Sequence, residues 1–339
     1  MLILNIKDLQ RIDKKSMYKI YDKWHEISRN AFNSNLEVIE SKDVAHIVFA
    51  GMGGSGALGD IFSSILSKTT MHVTVVKGYV LPKTVDKNTL VVFTSVSGNT
   101  IETMTAIKQA KKLDCKTLSF SSGGKLEIFC KKNLLNYRKI ELHHSPRGSF
   151  VSYLYSMLYV MQNVIPIKKS QIHNSIYELE KSNKKISSKN LTLKNPALKL
   201  AYEIKNIPLI YYPWGLNAAA IRFKNSLQEN AKIHAITEDV VEASHNGIVA
   251  WEKKSNVQPI ILQGSDDFIK TKERWKILKE YFVENQIKFN EIITIDGDIL
   301  SKLTNLIYLL DYSSIYKAVL NNIDPTPVKS IDYLKSRLS

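Results

Sequence analysis

Short apolar runs recur along the first half of the chain and alternate with segments of helical spacing. The runs are rich in β-branched residues and apolar throughout, which is typical of strands buried on both faces of a parallel sheet. The intervening segments predict helices that cover this sheet. The predicted strands are His46–Ala50, His72–Val76, Leu90–Phe93, Cys115–Phe120 and Tyr137–Leu142, and the predicted helices are Ala57–Lys68, Ile101–Leu113, Lys125–Lys132 and Ser149–Val164.

The same rhythm restarts in the second half. Predicted strands Ile207–Tyr212, Val257–Gln263 and Glu291–Ile295 alternate with predicted helices Leu216–Asn230, Phe268–Asn285 and Ile299–Leu320. Helical spacing also predicts a long helix over Lys14–Glu40 and a last helix from Pro327 to the end. The pattern therefore predicts an α/β protein with two consecutive units, each a parallel β-sheet flanked by helices.

The chain has 339 residues, enough for two domains. We predict an N-terminal helical segment (1–40), a first α/β unit (41–165), a lysine-rich linker (166–195), a second α/β unit (196–322) and a C-terminal helix (323–339). Between Lys168 and Lys199 lie eight lysines and two glutamates. We interpret this stretch as a solvated connection, because a nucleic-acid patch would interleave arginines and aromatic residues.

Composition excludes several classes of protein. The formal net charge is +15, which favours attraction of an anionic substrate. No apolar stretch reaches the ~18 residues of a membrane span, and the first residues do not resemble a signal peptide, so we expect a cytoplasmic protein with no membrane partner. Cys115 and Cys130 form no C-x-x-C pair, and no H-E-x-x-H motif occurs, so no metal site is expected.

A glycine-rich loop follows the first predicted strand. Gly51, Gly53 and Gly56 fit the G-x-G-x-x-G spacing, and the loop leads into a helix, whose N-terminus attracts anions. A tight turn without a ligand is the structural alternative. A dinucleotide site would place an acid at the end of the second strand, but Lys77 stands there, which leaves an NADP site open and disfavours NAD.

A second polar loop, 94–100, follows the third predicted strand. Ser95, Ser97 and Thr100 place three hydroxyls beside another helix start, while Asn99 and Glu102 have the spacing of a capping box. Ligands of open parallel sheets bind at the carboxyl ends of strands, where both loops lie. The two loops together therefore predict a neutral cradle for one small phosphorylated ligand.

These two loops resemble the sugar isomerase (SIS) domain. The stretches "GMGGSGALGD" and "SVSGNTIET" are similar, more narrowly, to archaeal-type bifunctional phosphoglucose/phosphomannose isomerases. Four further motifs occur in order: "SPRGS" at 145–149, "LQENAK" at 227–232, "EASHNGIVAW" at 242–251 and "DPTPVKSIDYLK" at 324–335. One departure is Val96, where the family more often has an aromatic residue. The resemblance implies two consecutive SIS-type, flavodoxin-like subdomains, with phosphate bound by Gly53, Gly54, Ser55, Ser95, Ser97 and Thr100.

The resemblance also implies an activity and its residues. It implies interconversion of glucose 6-phosphate and mannose 6-phosphate with fructose 6-phosphate through a cis-enediol, without metal or redox cofactor. Glu229 would be the base, and Arg147 would stabilise the enediolate. His245 would assist ring opening from the partner subunit of a homodimer. Lys335, in the C-terminal helix, would line the active site, and Thr326 would contact the sugar.

Two other functions stay open. A non-catalytic SIS regulator would bind a sugar phosphate without turnover, but it should carry a helix-turn-helix, and residues 1–40 show no convincing one. An NADP-dependent enzyme would use the Gly51 loop and Lys77. A turnover assay for fructose 6-phosphate distinguishes the first alternative, and thermal stabilisation by NADP rather than by a sugar phosphate distinguishes the second.

Overall fold

A computed structural model describes residues 4–41 and 43–338. The chain forms two compact units. The first-sheet unit consists of Lys23–Ile176 and Ser330–Ser339, and the second-sheet unit consists of Met1–Asp22 and Tyr177–Lys329. None of the helices within the described residues is long and apolar enough to cross a lipid bilayer.

The first-sheet unit contains five parallel strands. They are β1 (His46–Ala50), β2 (His72–Val76), β3 (Thr89–Thr94), β4 (Lys116–Ser121) and β5 (Tyr137–Lys139), in the spatial order β2-β1-β3-β4-β5. Its helices include α3 (Trp24–Phe32), α4 (Gly53–Leu66), α5 (Ile101–Ala110), α6 (Gly124–Lys132) and α7 (Phe150–Val160). Val91 packs with Ile107 of α5 on one face. Phe49 stacks on Phe62 of α4, with ring centroids 4.8 Å apart.

The second-sheet unit contains four parallel strands. They are β6 (Ile207–Tyr212), β7 (Ile236–Asp239), β8 (Val257–Gln263) and β9 (Asn290–Ile293), in the order β7-β6-β8-β9. Its helices include α9 (Pro196–Glu203), α10 (Asn217–Ser226), α11 (Val240–Ala243), α12 (Ile269–Glu284) and α13 (Ile299–Leu320). The long helix α13 is buried along most of its length and packs against α9 and α10. The predicted class, parallel sheets flanked by helices, is confirmed.

Two strand predictions need correction. β7 was not predicted, because its sequence Ile-Thr-Glu-Asp is short and polar and forms an edge of its sheet. The fifth strand, predicted to reach Leu142, ends at Lys139. Ile140 still donates a backbone hydrogen bond to Ser121, at 2.9 Å, and the chain then leaves the sheet edge.

The predicted N-terminal helix over Lys14–Glu40 is wrong. The described residues form three short helices instead: α1 (Ile6–Ile12), α2 (Met17–Asp22) and α3, and no helix covers residues 33–40. Ser16 has a left-handed φ of 54°, and the Asp13 carboxylate accepts the Tyr18 N–H at 2.9 Å. The chain is therefore redirected before α2, although the apolar spacing continues through the break.

The lysine-rich stretch, predicted as a solvated connection, has regular secondary structure. It contains the 18-residue helix α8 (Lys169–Ile186). Ile172, Ile176 and Leu179 are buried at spacings of four and three residues, which is the pattern of an amphipathic helix. The abundance of Lys, Ser and Asn concealed this pattern. Asn195, also within the stretch, caps α9 by accepting the backbone N–H groups of Ala197 and Leu198.

Candidate active site

The two predicted phosphate loops flank one point of the first sheet. The chain after β1 enters α4, and the chain after β3 enters α5. The strand order reverses between β1 and β3, since β2 lies beyond β1 and β4 lies beyond β3. Such a switch point opens a crevice at the carboxyl ends of the strands. The topology therefore brings both loops to the place where this fold binds ligands.

Direct contacts join the two loops. The Val96 backbone N–H donates to the Ser55 hydroxyl oxygen at 3.3 Å, and Ser55 is buried. A Cβ on Gly51 would lie only 2.9 Å from the Thr94 carbonyl oxygen. Since the Ser55 oxygen accepts from Val96, its own proton remains able to donate to a ligand. The glycine at 51 permits the close approach of the two loops.

The second loop presents hydroxyls on a fixed backbone. The Ser95 and Thr100 hydroxyl oxygens are 2.9 Å apart; Ser95 is buried, whereas Ser97 is exposed. Gly98 has a φ of +69°, and a Cβ there would overlap the carbonyl oxygen of Gly123. Only glycine meets both requirements. The loop backbone is therefore held tightly against the start of α6.

The predicted capping box of Asn99 and Glu102 is wrong. Thr100 is the N-cap residue of α5, and the Asn99 side-chain oxygen accepts the Lys125 backbone N–H at 3.0 Å. Within the described residues, neither α4 nor α5 has a side-chain cap at its N-terminus. No described side chain therefore competes with an anion such as a phosphate at either of these helix starts.

Arg147 lies in a loop beside the glycine loop. A Cβ on Gly54 would lie 3.6 Å from the Arg147 backbone nitrogen, and Arg147 is 6% exposed. Ser149 organises this loop: its hydroxyl oxygen accepts the His143 N–H at 2.9 Å and lies within hydrogen-bond distance of the His143 and Ser145 carbonyls. Ser149 is not among the residues predicted from the sequence, although it stands inside the "SPRGS" motif.

Glu229 lies in a π-helical turn. The turn spans Leu227–Ala231 and directly follows α10, where the sequence predicted regular helix. Lys232 ends it in a left-handed conformation, and its backbone N–H donates to the Leu227 carbonyl. Isolated π-turns are rare and are frequent at functional sites. Glu229 itself is half-buried.

Buried polar side chains anchor this turn to α13. Ser226 donates to Asp311 at 2.7 Å, and Arg222 pairs with the same carboxylate at 2.6 Å. Just beyond Glu229, the Asn230 amide donates to the Ser314 hydroxyl at 2.8 Å. Buried hydrogen bonds of Ser226 and Asn230 therefore hold the chain on both sides of Glu229, the candidate base. Sequence reasoning missed Asn230, although the "LQENAK" motif contains it.

His245 is exposed, in the turn between α11 and a 3-10 helix, Gly247–Glu252. Glu238 lies below this turn, and Gly247 lacks the Cβ that would overlap its carboxylate. Burial, and to a lesser extent the Glu242 carboxylate, raise the pKa of Glu238 above its ordinary value. The turn therefore rests on a partly desolvated acid while His245 points outward.

The other predicted residues lie near the C-terminus. Thr326 donates its backbone N–H to the Asp324 carboxylate at 3.0 Å, within the second-sheet unit. Lys335 lies in the last helix, α14 (Lys329–Leu338), none of whose described side chains is buried. Among the predicted residues, the structure brings together the Gly53–Ser55 loop, the Ser95–Thr100 loop and Arg147 in one unit. Glu229, His245 and Thr326 belong to the other.

Three observations bear on alternative sites. The Lys77 ammonium pairs with the Asp60 carboxylate at 2.6 Å, and its methylene groups pack over Gly56. This pairing weakens the interpretation of Lys77 as a nucleotide-phosphate ligand. A cavity of about 400 Å³ lies along α12, lined by Gln263 and seven residues of that helix, and contains none of the predicted site residues. Among the described residues, no cluster of three His, Cys, Asp or Glu is placed to hold a metal.

Comparison with known proteins assigns the chain to a family. The SIS domain model matches residues 41–165, and the model of the bacterial phospho-glucose isomerase C-terminal SIS domain matches residues 193–338. A bifunctional phosphoglucose/phosphomannose isomerase of Caldicellulosiruptor bescii is 33% identical over 312 residues, 89% of this chain and 91% of the relative. The chain belongs to the bifunctional phosphoglucose/phosphomannose isomerase family.

Further matches agree with membership of this family. The bifunctional phosphoglucose/phosphomannose isomerase of Thermoplasma acidophilum is 31% identical over 87% of this chain and 90% of its own length. A crystal structure of a hypothetical protein from Thermus thermophilus superimposes with a TM-score of 0.70 at 13% identity, covering 98% of this chain and 89% of that one. The family resemblance and the fold with two SIS-type subdomains are confirmed, and the protein is a sugar-phosphate isomerase.

Proposed function

We propose that the protein interconverts glucose 6-phosphate and mannose 6-phosphate with fructose 6-phosphate through a cis-enediol, with Glu229 as the base. The observation that carries the proposal is the position of Glu229: a half-buried carboxylate on a π-helical turn, inside a motif of the family. The relatives that are 33% and 31% identical to this chain are named for both the phosphoglucose and the phosphomannose activity.

The phosphate cradle orients the substrate. Ser55, Ser95, Ser97 and Thr100 supply hydroxyls, and the uncapped starts of α4 and α5 supply amides. These groups are neutral, so the cradle holds the phosphate by hydrogen bonds from hydroxyls and amides. Binding energy at the phosphate is thereby used to place C1 and C2 for reaction.

The chemistry follows from proton transfer between C2 and C1. In the open-chain aldose, Glu229 removes the C2 proton while the carbonyl oxygen at C1 gains negative charge. The Arg147 guanidinium stays protonated and stabilises this enediolate without donating its own proton. A proton then shifts from O2 to O1, and return of the first proton from Glu229 to C1 forms the C2 carbonyl and gives the ketose. Because C2 is planar in the enediol, the glucose and mannose configurations lead to the same intermediate. Rotation of the substrate about its C2–C3 bond at this stage presents either face of C2 to Glu229, so that one base serves both.

Ring opening requires further groups. We assign it to His245, supplied by the partner subunit of a homodimer, together with Lys335. Both side chains are exposed on the single chain. This exposure suits groups that become enclosed only when the dimer assembles or the substrate binds. The reaction moves a proton within one molecule, so it requires neither a metal nor a redox cofactor.

Replacing Glu229 tests the proposal. In Glu229→Gln, we expect kcat for both aldose phosphates to fall by about 10³-fold or more, because the base is lost while the shape is kept. Affinity for fructose 6-phosphate, measured by calorimetry, should survive. Glu284→Gln, an exposed glutamate on α12, is the matched control and should keep full activity. Full activity of Glu229→Gln would refute the mechanism, and a wild-type protein that binds but never turns over would support the regulator.

Mixing two inactive variants tests the partner contribution of His245. If His245 acts across a two-fold interface, co-refolded Glu229→Gln and His245→Asn chains form heterodimers in which one site has both groups. An equal mixture should then regain about a quarter of the wild-type activity. The matched control is each variant refolded alone. No recovery in a mixture shown to exchange subunits would place His245 in the site of its own chain.

A further inference from the structure

Lys232 ends the π-helical turn that carries Glu229. Its φ of 58° is left-handed, a conformation that lysine rarely adopts. This conformation folds the chain back, so that the side chain returns over the turn it has just left. The Lys232 ammonium donates to the Glu229 carbonyl oxygen and, at 2.8 Å, to the Pro327 carbonyl oxygen.

These two bonds connect distant parts of the sequence within one unit. Glu229 belongs to the "LQENAK" motif, and Pro327 belongs to the "DPTP" stretch that also contains Thr326. Ser226 and Asn230 tie the turn to α13 through Asp311 and Ser314. Lys232 supplies an anchor of a different kind, since it bonds the carbonyl of the candidate base itself. Terminal carbonyls of a helix end otherwise depend on water or a capping residue.

We propose that Lys232 is a positioning residue, which fixes the backbone of Glu229 against the 324–327 loop. The inference rests on the proposed function, in which Glu229 moves a proton between two adjacent carbons. That task tolerates little displacement, because an error of about 1 Å in a reacting group costs about 10²-fold in rate. The Lys232 side chain is largely exposed, so its bonds contribute little to global stability and mainly fix local geometry.

Two substitutions of Lys232 test this role. Lys232→Met keeps the length of the side chain and removes its donors, so kcat should fall about 10- to 100-fold while KM stays within about threefold. Lys232→Arg retains donors and charge and should recover part of the lost kcat. Lys224→Met, on α10 of the same unit, is the matched control and should behave as wild type. The melting temperature of all three should stay within about 2 °C of wild type.

Hydrogen exchange provides a readout that needs no substrate. In Lys232→Met, the amides of residues 227–233 should exchange about tenfold faster, while those of α13 and of the Lys224→Met control stay unchanged. If Glu229→Gln stays active but this local exchange still accelerates, the proposed mechanism fails and the anchoring role of Lys232 stands. If Glu229→Gln is inactive, yet Lys232→Met has wild-type kcat and wild-type exchange, the inference about Lys232 is overturned.

Discussion

The two sheets share a topology but differ in what holds their loops in place. In both, a strand order of the same type, β2-β1-β3 and β7-β6-β8, creates a switch point between parallel strands. The phosphate loops of the first sheet depend on backbone geometry, through glycines at 51, 53, 54 and 98 and a few neutral hydroxyls. The turn of Glu229 depends on side chains, above all the buried pair of Arg222 and Asp311. A phosphate is bound by fixed amides, whereas a single carboxylate must be held in place by its neighbours.

The second switch point has the same topology but a different loop chemistry. The loop after β8 carries Gly264, Ser265, Asp266 and Asp267 where the first sheet has serines and threonine. The Asp267 carboxylate accepts the Gly264 N–H at 3.0 Å and the Trp275 indole N–H at 2.8 Å. The Asp267 carboxylate thus occupies the Gly264 amide that an incoming anion would use, and it repels that anion. We therefore expect loop chemistry, rather than the sheet, to determine which unit binds phosphate.

We expect the largest effect from removing the buried ion pair between Arg222 and Asp311 in the second-sheet unit. Arg222→Met leaves the Asp311 carboxylate buried without its cation, since the two side chains are only 4% and 0% exposed. We expect a loss of about 3–5 kcal/mol in the free energy of unfolding, measured by urea titration. Lys279→Met, which breaks a more exposed pair with Glu291, is the control and should cost less than about 1 kcal/mol. Equal losses would show that burial of the pair does not support this unit.

Most of the fold could be predicted from the sequence, because buried parallel strands and long helices leave strong periodic signals. Helix α13 begins and ends where the apolar pattern predicted. Prediction failed where periodicity and tertiary structure disagree. The N-terminal spacing runs unbroken through the left-handed Ser16, and the polar edge strand β7 gains its partner only in three dimensions.

The candidate site was only partly predictable, for a related reason. Glycine and hydroxyl loops are local features, so Ser95, Ser97 and Thr100 could be predicted from the sequence pattern and Ser55 from the family resemblance. The supporting residues are defined by distant partners: Asn230 bonds a serine 84 positions away, and Lys232 bonds a carbonyl 95 positions away. No local pattern identifies such pairs. The local sequence of the Glu229 turn likewise predicted regular helix, and its π-helical form is seen only in the structure.

A smaller effect is expected from the backbone-dependent loop of the first unit. Gly98→Ala forces a Cβ into a left-handed position and against the Gly123 carbonyl, so we expect a loss of about 2 kcal/mol in the free energy of unfolding. Fructose 6-phosphate should also bind more weakly, because the shifted backbone moves the Ser97 and Thr100 hydroxyls. Gly215→Ala, in the other unit, is the matched control: its φ is +99°, but a Cβ there meets nothing within 4 Å. Both substitutions force alanine to a positive φ, but only the one at residue 98 also creates a steric overlap. The difference between their free energies of unfolding therefore reports the cost of that overlap. If Gly98→Ala binds the sugar phosphate as tightly as Gly215→Ala does, backbone placement in this loop does not control phosphate binding, and the contrast between the two units is lost.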